Sequence, residues 1–445
     1  MKSKVWLWIV IAIVVIGAGV LIWTGQKPAK EAGVVETASF NPNIFVYVGA
    51  GDAETLDPSK AYDTASSEII FQYYDNLLSY KEGSLSEFQP MLATKVPSVE
   101  NGLISADGKT YTFPIRKGVK FHNGAKLTPA DVEYTLERNI FADPVGGPIW
   151  MLLEPIFGKA SIEDLACEIA GVDSFDQVDK ASLLKTAKRV MDAIKVDGDN
   201  VVINLVQPYP PFLAILARNS SWTAIINKEW MIENGAWDGK AENWTKWHNL
   251  QTEEQVLFEK AMGTGPYKQV EWNRSNSRHT LEAHADYWQG PAAIKTVIVN
   301  NGVTEFNTRK LMLQRGEADA IYVPVENSPQ VDGMDGVTLI RNLPRLNNVC
   351  AIFNQEINAV DNEFVGSGKL DGNGIPADFF SDVNIRRAFS YAFDYNSFIK
   401  DVVLGEASVP YGVLPVGLSD FFDTDGFQYS YDLKKAEEHF KKAFN

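Results

Sequence analysis

Nineteen consecutive residues without a charge, Val5 to Trp23 ("VWLWIVIAIVVIGAGVLIW"), decide first where this chain can fold. As a helix rising roughly 1.5 Å per residue, such a run spans about 28 Å, close to the thickness of a bilayer core. Lys2 and Lys4 stand in front of it, and a basic start followed by an apolar run directs a chain out across the membrane. The run is long for a signal peptide, and its end shows neither a small-x-small cleavage pattern nor a cysteine to take a lipid. Residues 1–26 therefore read as an uncleaved membrane anchor, with a cleaved signal peptide as the alternative, which would leave the protein periplasmic. Residues 27–42 read as a polar, alanine-rich tether, and the rest of the chain as folding extracytoplasmically.

At 445 residues the chain is long enough for two or three domains, and its 45% hydrophobic and 22% charged residues are those of an ordinary globular protein. The formal net charge of −16 argues against nucleic acid as a partner. Cys167 and Cys350, the two cysteines, do not make a disulfide framework. They read as small buried hydrophobes with free thiols.

Short strands and helices alternate without one sustained period, which points to an α/β chain. "IFVYVGA" from Ile44 reads as a buried strand. "SSEIIFQYYDNLLSY" has helical spacing through Ile69, Ile70, Tyr73, Tyr74, Leu77 and Leu78. Val201 to Val206 reads as a strand halted by prolines, and "NTRKLMLQRGEADAIYV" as a helix ending at Gly316 followed by a strand. Asp382 is placed to cap the helix in "DVNIRRAFSYAFDYNSFI". No internal repeat or low-complexity block is evident.

The stretch "YTFPIRKGVKFHNG", Tyr111 to Gly124, gathers Arg116, Lys117, Lys120 and His122 in an acidic chain and looks like the start of a chemical site. Its alternation predicts a strand, its two glycines a turn, and Thr128–Pro129 with Asp131 a capped helix start. His122 thus falls in a connecting loop without a second ligand at metal spacing, and the reading is structural. Gly49 and Gly51 follow a strand as in a dinucleotide loop, but the third glycine is missing and Pro58 blocks the receiving helix. His279 and His284, five apart in a strand-like stretch, face opposite ways. Phosphate-loop, nucleophile-elbow and HExxH motifs are absent. Neither enzyme chemistry nor a metal or cofactor is expected. Trp222, Trp230, Trp237, Trp244 and Trp247 crowd one region, and such rings often line ligand clefts.

Five blocks occur in a fixed order: "ETLDP" with "YYDNLLSY"; "DGKTYTFPIRKGVKFHNGAKLTPADVEYTLER"; "GTGPYKQVEW"; "LEAHADYW"; and "RRAFSYAFDY". From about residue 44 onward they resemble the extracytoplasmic solute-binding proteins, family 5, of peptide-type ABC importers. The resemblance implies a two-lobed periplasmic-binding-protein-like fold (type II, Venus flytrap) that encloses a peptide or other solute between α/β lobes. Lobe one would hold 43–80 and 195–270, with an inserted subdomain at 81–194, and lobe two would hold 271–445. Tyr62, Asp63, Thr64 and Ala65 match the loop that meets the ligand backbone in peptide-binding members. Trp150 lies near an aromatic contact position, and Trp222 belongs to the tryptophan-rich region.

The resemblance also implies a further stretch after the helix in "YDLKKAEEHFKKAFN", where this chain stops. Lobe two is therefore expected to be incomplete, with an unpaired sheet edge, exposed apolar surface, a tendency to aggregate and weak peptide binding. The function expected is capture of di- or oligopeptides for the permease subunits of an ABC importer. The alternatives are a membrane-anchored sensor of the same fold and binding of an oligosaccharide or a nickel complex.

Overall fold

The computed structural model describes residues 41–444, apart from 83, 85, 219–220, 342, 344–346, 367–371 and 416–424. The apolar run Val5–Trp23 and nearly all of the tether lie outside the described residues. Among the described residues no helix is long and apolar enough to cross a membrane.

In chain order the elements used below are β1 (Ile44–Val48), α1 (Thr64–Tyr73), β2 (Leu78–Tyr80), β3 (Phe88–Pro90), β4 (Thr110–Pro114), α2 (Pro129–Ala142), α3 (Trp150–Phe157), α4 (Ile162–Ala170), β5 (Ile194–Asp197), β6 (Asn200–Asn204), β7 (Ala217–Arg218), β8 (Tyr267–Asn273), β9 (Arg278–Ala283), β10 (Thr296–Asn300), α5 (Phe306–Gln314), β11 (Ala320–Ile321), α6 (Val383–Ala392) and α7 (Leu433–Phe444). The strands make a five-stranded sheet in the order β11-β1-β10-β9-β8 and two three-stranded sheets, β3-β2-β7 and β4-β6-β5. In the large sheet β1 runs parallel to β10 and β11, while β9 is antiparallel to β10 and β8. The expected lobe boundary near Trp272 falls inside β8, in the same sheet as β1. The β4-β6-β5 sheet likewise continues past residue 194 to Asn204.

Local chemistry explains the starts and stops. α2 begins as its sequence demands: Asp131 accepts hydrogen bonds from the Thr128 backbone N–H (2.9 Å) and hydroxyl (2.7 Å), with Pro129 at the first helical position. Asp382 caps α6 by accepting from the Asn384 N–H. α1 is shorter than its periodicity suggests. It ends at Tyr73, Tyr74 is already extended, and Leu78 lies in a strand. The backbone at Gly265 packs against Tyr73 and Tyr74 so closely that a Cβ there would lie 2.5 Å from the Tyr73 carbonyl carbon. Tertiary contact thus ends a helix that local pattern would continue.

The continuous apolar core among the described residues runs from Leu56 to Val299 and includes Phe113, Phe121, Tyr134, Phe141, Trp237 and Trp244. Beyond Ile321 the described residues contain no strand, only the bridge Val365–Ile375. There α6 and α7 pack together, with Phe389 edge-on to Phe440 and Tyr391 stacked on His439. Ala436 is buried, as α7's apolar stripe requires, while Leu433 and Phe444 stay exposed, as do Val349, Ile352 and Val413. Both cysteines are free, but neither is buried as the sequence suggests. Cys167 sits half-buried on α4, whose inward positions are Ile162, Leu165 and Ala166, and Cys350 is exposed.

One ion pair crosses the core. Asp57, from "ETLDP", is fully buried, and Arg138, near the end of α2, is 7% exposed. Their groups meet as a two-pronged pair, Nη1 to Oδ1 at 2.5 Å and the second nitrogen to Oδ2 at 2.6 Å. Burial alone would raise the Asp57 carboxyl; the charge and hydrogen bonds of Arg138 outweigh it and hold the carboxyl below its usual range. Arg138→Met should destabilise the fold by about 3–5 kcal/mol, because it strands a buried carboxylate. The double variant Asp57→Leu/Arg138→Met should cost less than the single one. Urea unfolding of the three proteins decides the matter, and a single variant within about 1 kcal/mol of wild type would show that the pair is not anchoring the core.

Candidate functional site

The charged stretch Tyr111 to Gly124 is a docking strip. β4 alternates as expected, with Tyr111 and Phe113 buried, and the loop that follows lies against the segments "GTGP" and "ADYW". The Arg116 guanidinium covers the Trp288 ring at 4.3 Å, and Lys120 pairs with Asp286 at 2.9 Å. The His122 backbone N–H donates to the Gly263 carbonyl, and its ring Nε2 lies 3.1 Å from the Gly265 carbonyl. Behind these contacts sits Asp75, fully buried. It accepts hydrogen bonds from the Thr264 hydroxyl (2.9 Å), the Tyr287 hydroxyl (3.1 Å) and the Trp288 indole (3.1 Å). Four of the sequence blocks therefore converge on one polar junction.

That junction brings His284 beside His122, with ring centroids 5.0 Å apart, a proximity that sequence spacing did not reveal. No group of three or more metal-type ligands forms among the described residues. His279 stands apart, fully buried in β9, stacked on Trp272 and 3.2 Å from Asp52. Burial pushes the His122 imidazole down to about 3, with the charges of His284 and Lys268 acting in the same direction against the Gly265 hydrogen bond.

Of the residues singled out for ligand contact, Tyr62, Asp63, Thr64, Ala65 and Trp222 come together. Tyr62 is 50% exposed and meets Trp222 edge to face, centroids 5.9 Å apart and planes at 87°. Asp63 caps α1, its Oδ1 accepting from the Ser66 N–H at 2.7 Å. Thr64 and Ala65 form the first turn of α1. The second oxygen of Asp63 and the indole nitrogen of Trp222 are buried without a hydrogen-bond partner among the described residues. Trp150, 40% exposed, opens α3 and makes no ring contact with Tyr62 or Trp222 among the described residues. The loop before it does approach the same region, with the Lys60 ammonium donating to the Val145 carbonyl at 3.1 Å. Trp237 and Trp244, by contrast, are core residues.

Sequence reasoning passed over a second set of groups. Tyr47 is on β1, Glu68 on α1, and Tyr322 follows β11, its N–H donating to the Val48 carbonyl. Burial pushes the Tyr47 phenol up to about 12, with Glu68 and Tyr322 adding to the rise and Arg309 opposing it. Arg309 is buried behind Tyr322, its charge held by the carbonyls of Val303, Thr304 and Tyr322. These groups stand at the carboxyl ends of the parallel strands β1 and β11, the usual place for ligands in such sheets. The signal was present as a tyrosine within each of two predicted strands, "IFVYVGA" and the strand that ends "GEADAIYV". An open groove of about 550 Å³, lined by Val46, Ile298, Met312 and Arg278 among others, includes none of the singled-out residues.

The sequence model of the bacterial extracellular solute-binding proteins, family 5 Middle, matches residues 87–444. Among curated proteins the chain is 26% identical over 416 residues to a heme-binding protein A of Haemophilus influenzae, covering 93% of this chain and 64% of that protein. It is 24% identical to the dipeptide-binding protein DppE of Bacillus subtilis (93% and 64%), and 26% identical to the oligopeptide-binding protein OppA of the same organism (87% and 60%). The chain thus spans 60–64% of the length of these relatives. Among solved structures, the periplasmic binding protein DppA of Helicobacter pylori in complex with peptide STSA aligns with TM-score 0.61 at 22% identity, over 90% of this chain and 66% of that one. NikZ of Campylobacter jejuni in complex with Ni(L-His) aligns with TM-score 0.58 at 18% identity, over 91% and 64%. The fold is that of the type II periplasmic binding proteins.

The depressed His122 has a measurable consequence. Its folded-state value lies below the unfolded one, so the unfolded chain takes up the proton more readily. The stability it contributes is complete above about pH 6.5 and is lost as pH falls toward 3. At about 1.4 kcal/mol per pH unit, this site alone should weaken the fold by about 2 kcal/mol between pH 7 and pH 5. His122→Gln should flatten the pH dependence by that amount in denaturant titrations, and parallel curves for the two proteins would refute the assignment.

Proposed function

The chain belongs to the bacterial extracellular solute-binding proteins of family 5, and on that premise we propose that it captures di- or oligopeptides outside the cytoplasmic membrane for the permease subunits of an ABC importer. The observation that carries this reading is the half-exposed Tyr62, set edge-on to Trp222 at the capped start of α1. A half-exposed aromatic face beside a helix start suits a hydrogen-bonding chain such as a peptide backbone. In this reading Tyr62, Asp63, Thr64, Ala65 and Trp222 meet the solute, with Trp150 approaching from the inserted subdomain. Catalysis forms no part of it. Two lobes close by a hinge motion that the bound solute favours; because β1 shares one sheet with β8 to β11, residues 267–321 move with the first lobe, and the second lobe begins after β11 rather than at residue 271.

We further propose that residues 1–26 stay attached and hold the protein at the outer face of the membrane. The support is the length of the apolar run and the lysines before it.

Two measurements test these readings. Native mass spectrometry of protein isolated from host membranes should show a bound species of peptide mass, and Tyr62→Ala should reduce its occupancy about tenfold. A haem, metal complex or sugar found there instead of peptide would overturn the solute class. Edman sequencing should find the chain starting ahead of Val5, whereas a start after Trp23 would refute the anchor.

A further inference from the structure

The rings of Tyr62 and Trp222 meet edge to face, 5.9 Å between centroids. Tyr62 is half-exposed, and the Trp222 indole N–H is buried without an acceptor among the described residues. A ring with an unmatched buried donor gains by turning toward a partner, so something must prevent it from doing so.

Ser221 is the residue before Trp222, and Ala61 is the residue before Tyr62. Ser221 is fully buried, and its hydroxyl donates to the Ala61 carbonyl at 2.9 Å. The Ser67 hydroxyl, one turn into α1, donates in turn to Ser221 Oγ at 3.3 Å. We propose that Ser221 is a positioning residue for solute capture: its hydroxyl staples the backbone entering Tyr62 to the backbone entering Trp222 and so sets the edge-to-face arrangement that a solute meets. This rests on the reading that the two rings face the solute.

Both ends of the staple are themselves anchored. The Ala61 N–H donates to the Asp57 carbonyl at 2.9 Å. On the other side Asn139, fully buried, donates from Nδ2 to the Trp222 carbonyl at 2.8 Å, while its Oδ1 accepts from Arg138 at 3.2 Å. The staple therefore spans two segments that the Asp57–Arg138 pair already fixes, and it joins them directly at the residues that precede the two rings. Removing it frees Trp222 to turn without dissolving the core.

The test uses the full chain labelled with 5-fluorotryptophan, the Trp222 signal being assigned with Trp222→Phe. Ser221→Ala should shift or broaden the Trp222 fluorine resonance and leave those of Trp237 and Trp244 in place. Ser67→Ala, which removes only the outer contact, should leave the Trp222 resonance unmoved. Affinity for the tetrapeptide Ser-Thr-Ser-Ala should fall about fivefold in Ser221→Ala, the size of one ordinary hydrogen bond. Should Ser221→Ala not fold, Ser221→Cys, which keeps the volume but donates weakly, should give a smaller shift in the same resonance. An unmoved Trp222 resonance in either variant, or a general shift of all tryptophan resonances with a lowered unfolding midpoint, overturns the proposal. If Tyr62→Ala and Trp222→Phe leave tetrapeptide affinity unchanged, the solute-facing reading fails, and the resonance still decides whether the staple exists.

Discussion

A carboxylate and a guanidinium that share a water-free core constrain most of what surrounds them. Asp57 and Arg138 lie 81 positions apart, one in a loop and one in a helix, and neither tolerates burial without the other. Their pairing fixes α2 against the segment that leads to Tyr62 and α1. From there the order propagates through hydrogen bonds: Asp57 holds the Ser59 hydroxyl and N–H and the Ala61 N–H, and Arg138 reaches Asn139, which holds Trp222. An ion pair of this kind adds little net stability over an apolar substitute. It does specify one arrangement, because every misregister leaves a bare charge in the core.

Asp75 does similar work at lower charge cost. It collects one hydroxyl from "GTGP" and one hydroxyl and one indole from "ADYW", and its own block supplies the tyrosines on which Gly263 and Gly265 rest. The ordered blocks that mark this chain as a family-5 solute-binding protein are therefore mostly the parts of two buried polar junctions. Residue types at such junctions are restricted because a donor must find its acceptor at one distance. The groups that face a solute need only suit that solute. That is why a strong family signature can coexist with a proposed site spread thinly over Tyr62–Ala65, Trp222 and Trp150, and with relatives whose names include dipeptide, oligopeptide and heme binding.

Local rules were legible where the physics is local. The Thr128–Asp131 cap, the Asp382 cap, the alternation of β4 and the glycine turns of the docking strip can all be read from the residues. Readings failed where a distant segment intervened. The periodicity of α1 continues to Leu78, but the helix stops at Tyr73 because the Gly263–Gly265 backbone occupies its path. The cysteines were assigned by residue preference, which cannot tell the inner face of α4 from the outer one. His284 next to His122, and Tyr47 with Glu68 and Tyr322, are pairings across the fold that no spacing encodes.

The sequence by itself determined the alternation of helix and strand, the caps, the uncharged apolar run Val5–Trp23, the net acidity and the family, because these depend on neighbours a few residues apart or on summed composition. Only the tertiary structure decided that β1 shares a sheet with strands more than two hundred residues later. It also decided that Asp57 finds Arg138 and that one serine hydroxyl lies between the two aromatic residues of the candidate site. Burial and hydrogen-bond geometry are properties of segments brought together in space, and the energy that selects among such encounters is absent from any single stretch of chain.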